Sequence, residues 1–146
     1  MFQRVVVPTD FSDCSRNAWE VARRAVATPA GELIIAHILT EVPLYGEGTL
    51  SVETARNVRE SARAWAEKAL ADWVDKARAD GLKVRSVLRT GVPHEEIVGL
   101  AQDERADLIV IGTHGRGGMS RALLGSVTDR VVRMAVCPVL TVRQPD

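Results

Sequence analysis

The chain has 146 residues, 46% apolar and 26% charged, which is ordinary composition for a globular protein and excludes bulk disorder. Its 19 basic and 19 acidic side chains cancel, so bulk charge recommends neither a nucleic acid nor a membrane surface as partner. No segment reaches the roughly 18 consecutive apolar residues of a membrane helix.

The length predicts a single domain over residues 1–146. The start, Met1 to Pro8, lacks a basic region followed by a long apolar run, so no signal peptide and a cytoplasmic location are expected. Cys14 and Cys137 stand 123 positions apart and read as free thiols. The three histidines, His37, His94 and His114, form no zinc-binding cluster.

Along the chain, short apolar runs alternate with amphipathic stretches. Arg4-Val5-Val6-Val7 predicts a first strand, ending at Pro8. A helix follows from Ser12 or Asp13 to Thr28, with Ala18, Val21, Ala22, Ala25 and Val26 as its apolar stripe. Glu32 to Leu39 is the second strand, and Thr40 to Leu50 reads as a mobile loop over the strand ends. The second helix is expected from Ser51 to Asp80, stopped by Gly81. Ala55, Val58, Ala62, Trp65, Ala66, Ala69, Trp73 and Ala77 are its expected core face, with Trp65 and Trp73 as packing residues. Leu82 to Arg89 alternates apolar and polar, as a half-exposed strand does. Pro93 to Glu104 is a third helix with proline in its first turn. Asp107 to Gly112 is almost wholly apolar and predicts a central strand. A fourth helix runs from Ser126 to Ala135, and Pro138 to Arg143 is the last strand. Strands alternating with helices of this length predict an open, five-stranded parallel α/β sheet covered on both faces.

In such a sheet, ligands bind outside the carboxyl ends of the strands. Two strand-end loops therefore matter. The first is Pro8-Thr9-Asp10-Phe11-Ser12-Asp13. The second, Gly112 to Thr128, holds five glycines within residues 112–125, plus Arg116, Arg121 and no acid before Asp129. Glycines let backbone amides approach an anion, and a helix opening at Gly125-Ser126-Val127-Thr128 offers free N–H groups and a positive dipole end. The hydroxyls of Ser126 and Thr128 are expected to add donors. There is no GxxxxGK[ST] and no GxGxxG after the first strand, so neither a P-loop nor a dinucleotide fold is expected. The third strand ends without a carboxylate, which argues against a phospho-acceptor domain.

Gly112-Thr113-His114-Gly115, nine residues, then Gly125-Ser126 has the spacing G-x2-G-x9-G-[S/T]. This resembles the ATP-binding universal stress proteins. Pro8-Thr9-Asp10-Phe11-Ser12, His37-Ile38 and Cys137-Pro138-Val139-Leu140 resemble the same family, so the likeness spans Arg4 to Arg143. It implies strand order 3-2-1-4-5, a Rossmann-like, adenine nucleotide alpha hydrolase-like topology. It implies a regulatory, stress-response module loaded with ATP and Mg or Mn. By resemblance Pro8, Thr9 and Asp10 form one wall, with Asp10 on ribose or on a divalent ion through the phosphates. Ile38 and Ile111 lie against adenine. Gly112 and Gly115 admit the ribose-phosphate, beside Arg116. Gly125, Ser126, Val127 and Thr128 hold the phosphates. The resemblance also implies a homodimer through the last strand, with Val139, Leu140 and Val142 as apolar contacts. The chain departs from the pattern at Val92, where Asp or a small polar residue is common.

The residues themselves leave other roles open. Asp10 can equally cap the first helix. His114 reads first as a packing or hydrogen-bonding residue, His37 as a satisfied core histidine, His94 as a surface residue and Cys14 as a structural thiol. A slow ATP hydrolase or phosphotransfer enzyme is the second reading, although no carboxylate or lysine is obviously placed to activate water. A dimer module without nucleotide is the third reading.

Overall fold

The computed structural model describes residues 1–41, 51–114 and 124–145. Most of the expected loop after the second strand, and Gly115, Arg116 and Arg121, lie outside the described residues. The elements are β1 (Arg4–Pro8), α1 (Asp13–Ala25), β2 (Glu32–Leu39), α2 (Val52–Ala79), β3 (Lys83–Thr90), α3 (Pro93–Asp103), β4 (Leu108–Gly112), α4 (Ser126–Met134) and β5 (Val139–Val142). All pairings are parallel, in the order β3-β2-β1-β4-β5. The sheet order that the resemblance implied is therefore the one observed.

The strand period of two splits the core into two layers. Val5, Val7, Leu33, Ile35 and Val110 face α1 and α2, where Ala18, Trp19, Leu70 and Val74 meet them. Val6, Ile34, Ala36, Ile109 and Ile111 face the other way, onto Ile97, Leu100 and Val131 of α3 and α4. β4 is buried throughout, whereas the edge strand β3 fully buries only Val84 and exposes Lys83, Ser86 and Thr90.

Three expectations need correcting. α1 ends at Ala25 and not at Thr28. Val26 is extended and bridges Phe2, and Thr28 precedes a proline, a position that disfavours the helical region. The core face of α2 is Ala55, Ala66, Leu70, Val74 and Ala77, whereas Val58 is 41% and Trp65 51% exposed. The buried stripe is rotated onto Leu70 and Val74, which leaves Trp65 at its margin, and length adds to the exposure at Val58. At 1.5 Å per residue α2 is about 42 Å long, while β2 and β3 span only about 26 Å. Its amino-terminal turns reach past the length of the strands, although Ala55 in the first of them is 1% exposed. Third, His94 is buried, because residues 94, 97, 98 and 101 form one stripe of α3 facing the core.

Candidate functional site

At the carboxyl end of β1 the chain turns sharply, and its polar groups hold one another. Thr9 N–H donates to Ala36 O at 2.8 Å, tying the turn to β2. Phe11 takes a left-handed φ of 63° and donates its N–H to Thr9 Oγ1. Asp10 Oδ1 accepts from Ser12 N–H at 3.0 Å, and Ser12 caps α1 by accepting from Ser15 N–H. Ser15 donates its hydroxyl proton to Ser12 O, so the 2.9 Å bond between Thr9 Oγ1 and Ser15 Oγ is donated by Thr9. Thr9 thus builds the turn. Behind it, the Phe11 ring packs at 4.9 Å on His37 and edge-on to Trp65 and Trp73. His37 Nδ1 donates to Thr9 O at 2.7 Å, so this half-buried histidine is satisfied, but it lines the site and not the deep core.

At the end of β4, Gly112 answers a packing demand. A Cβ there would stand 2.9 Å from Cys14 Sγ and 3.1 Å from the Cys14 carbonyl. Thr113 then donates its N–H to Val142 O and accepts Gly125 N–H on its carbonyl, at 2.9 and 2.7 Å. That second bond brings the end of β4 beside the start of α4. Gly125 is the N-cap of α4, and no side chain among the described residues caps this helix. The first-turn amides of Ser126, Val127 and Thr128 lack intrahelical partners by geometry. Thr128 Oγ1 donates to the buried Gly112 O at 2.7 Å, so its proton anchors α4 to β4. Of the two hydroxyls expected as donors, only that of Ser126 remains for a ligand.

These ends enclose a cavity of about 370 Å³, a common size for a small-molecule site. Every described residue among the expected site residues lines it: Pro8, Thr9, Asp10, Ile38, Ile111, Gly112, Gly125, Ser126, Val127 and Thr128. Gly115 and Arg116 lie outside the described residues. Strand-end reasoning missed Ser15, Ala36, Thr40, Pro93 and Ile97, which also line the cavity. Pro93 and Ile97 come from α3, and the apolar period of that helix was the available signal.

The cavity has two chemically different ends. Ala36, Ile38, Ile97 and Ile111 make an apolar floor. Ala36 O faces β1, since it accepts from Thr9; two residues on, the N–H and C=O of Ile38 face the same side, beyond the last residue of β1. The other end is the α4 terminus, with Asp10 and His114 also on the wall. Among the described residues no group of three or more His, Cys, Asp or Glu could hold a metal ion, and no helix is long and apolar enough to cross a membrane.

The family model described as the Universal stress protein family matches residues 1–143. The chain belongs to the universal stress protein family. Universal stress protein MJ0577 of Methanocaldococcus jannaschii is 33% identical over 156 residues, covering 99% of this chain and 96% of that one. MJ0531 of the same organism is 35% identical, covering 99% and 84%. A solved structure of MJ0577 superposes with a TM-score of 0.88 at 30% identity, covering 100% of this chain and 99% of that chain. A solved universal stress protein in complex with cAMP superposes with a TM-score of 0.71 at 30% identity, covering 99% and 98%.

Proposed function

We propose that this universal stress protein binds an adenine nucleotide in the strand-end cavity, namely ATP carried with Mg or Mn, and acts as a nucleotide-loaded regulatory module. One observation carries the reading: a single cavity joins an apolar floor beside the backbone of Ile38 to a helix N-terminus that starts on glycine and has no side-chain cap among the described residues. The floor suits a purine ring. The N–H and C=O of Ile38 are one donor and one acceptor, the pattern of the adenine edge. The amides of Ser126, Val127 and Thr128 suit phosphate. The related protein solved with cAMP supports the same ligand class.

Among the described residues, one carboxylate lines the cavity. Asp10 supplies one carboxylate, and Mg²⁺ is commonly held by one or two carboxylates plus substrate phosphates. The ion therefore arrives on the nucleotide, whose charge it offsets. The β5 edge completes the proposal as a homodimer surface.

Calorimetry with ATP and Mg²⁺ tests the ligand. Gly125 has φ −59° and ψ 153°, which valine adopts without strain. Gly125→Val should leave the fold intact and weaken ATP at least about tenfold, roughly 1.4 kcal/mol. Wild-type affinity in a folded Gly125→Val chain would sink the phosphate assignment.

A further inference from the structure

We propose that Thr113, the unassigned residue inside the glycine spacing, is a positioning residue that fixes the tautomer and orientation of His114 at the cavity wall. The proposal rests on the nucleotide reading for its effect on affinity, and on geometry alone for its effect on the ring.

Thr113 is 4% exposed, and its backbone is committed on both sides: N–H to Val142 O, carbonyl from Gly125 N–H. Its backbone is thus held by the end of β5 and by the cap of α4. Its hydroxyl has two neighbours. His114 Nδ1 is 3.0 Å away and Cys14 Sγ is 3.9 Å away.

The proton count decides the roles. Cys14 donates its S–H to Val142 O at 3.5 Å, so toward Thr113 the sulfur can only accept, weakly and at long range. The imidazole nitrogen is nearer and a stronger acceptor. Thr113 O–H therefore donates to Nδ1 of His114, and the neutral ring carries its proton on Nε2. His37, on the opposite wall, holds the other tautomer, because its Nδ1 faces the carbonyl of Thr9 and must donate. The cavity thus has two histidines with opposite tautomers, each set by a threonine: one by a hydroxyl, one by a carbonyl. Thr113 acts through His114; His114 is the group that meets the cavity.

Three variants separate this from plain packing. Thr113→Val keeps the shape and both backbone bonds and removes only the hydroxyl. Thr113→Ser restores it without the methyl group. His114→Ala removes the ring through which the effect should pass. Long-range nitrogen NMR of the full chain without nucleotide should show His114 with unprotonated Nδ1 and protonated Nε2. Thr113→Val should mix the tautomers and Thr113→Ser should restore the pattern. By calorimetry with ATP and Mg²⁺, Thr113→Val should lose about tenfold in affinity, Thr113→Ser little. In a His114→Ala background, Thr113→Val should cause no further loss.

A His114 ring protonated on Nδ1 in the wild type overturns the tautomer assignment. An equal loss from Thr113→Val with and without His114 overturns the positioning role, since the hydroxyl would then act by packing. A wild-type chain that binds none of ATP, AMP or cAMP overturns the nucleotide reading and the affinity effect with it. The nitrogen shifts still decide the tautomer in that case.

Discussion

A methyl group at Gly112 would lie 2.9 Å from the Cys14 sulfur and 3.1 Å from two Cys14 backbone atoms. The first turn of α1 packs directly on the end of β4, and only glycine lets it approach so far. Gly112→Ala should therefore destabilise the fold by about 1–3 kcal/mol, the range for forcing extra carbon into a packed site. Urea unfolding should show the lower midpoint with an unchanged slope. Adding Cys14→Ala should recover only part of it, because the backbone atoms of residue 14 remain. Full recovery would show that the sulfur alone fills the gap. Gly125 differs: its dihedrals suit any residue, so replacing it should act on the ligand and spare the fold. On the proposed reading, two glycines of one motif serve separate purposes, which spacing alone does not reveal.

Helix α2 shows the same separation at the level of an element. Leu70 is 2% exposed and Val58 41%, although both stand on apolar positions of one helix. Leu70→Ala should cost about 2–5 kcal/mol. Val58→Ala should stay within roughly 0.5 kcal/mol, as for other exposed sites. Comparable losses from both would mean that the overhanging turns are packed as firmly as the rest. The element order and most boundaries were legible because β-branched runs, a capping serine and Pro93 mark them locally. The face of α2 was not legible, because Ala62, Trp65, Ala69 and Trp73 make one apolar stripe while the buried one turns onto Leu70 and Val74 beside it. The buried polar contacts were not legible either. That Thr128 would use its proton on Gly112 O, or that Phe11 would turn left-handed and stack on His37, depends on where β4 and β2 end in space. The strand-end loops of the cavity could be found from topology. The contribution of α3 could not be found from loops alone, since Pro93 and Ile97 reach the cavity from a helix face.

The molecule as a whole is polar along its strands. At the amino edge, Glu32 bridges Arg4 and Arg85, Arg85 also pairs with Glu104, and Asp107 accepts from the amides of Gln3 and Arg4. That edge is closed by its own charges, and the carboxyl edge is left to the cavity. The lateral edges differ in the same way. β5 is short, and Leu140 on it is 41% exposed; nearby Val132, Met134 and Val136 are 44%, 47% and 70% exposed. Val139 and Val142, expected as dimer contacts, pack inward on the two core layers, so Leu140 is the side chain of the three that faces out. The backbone register sharpens this further. Ile109 N–H donates to Pro138 O, so residues 138, 140 and 142 direct their backbone groups at β4. Val139, Thr141 and Arg143 direct theirs outward, where a second copy related by a twofold axis could extend the sheet. Proline at 141 would remove an outward N–H and no bond to β4, the one setting in which a strand tolerates it. Light scattering should therefore give about twice the 15.9 kDa chain mass for the wild type and the chain mass itself for Thr141→Pro. Circular dichroism should stay unchanged between them. A dimer that survives both Thr141→Pro and Leu140→Lys would place the interface elsewhere, on the apolar side of α4.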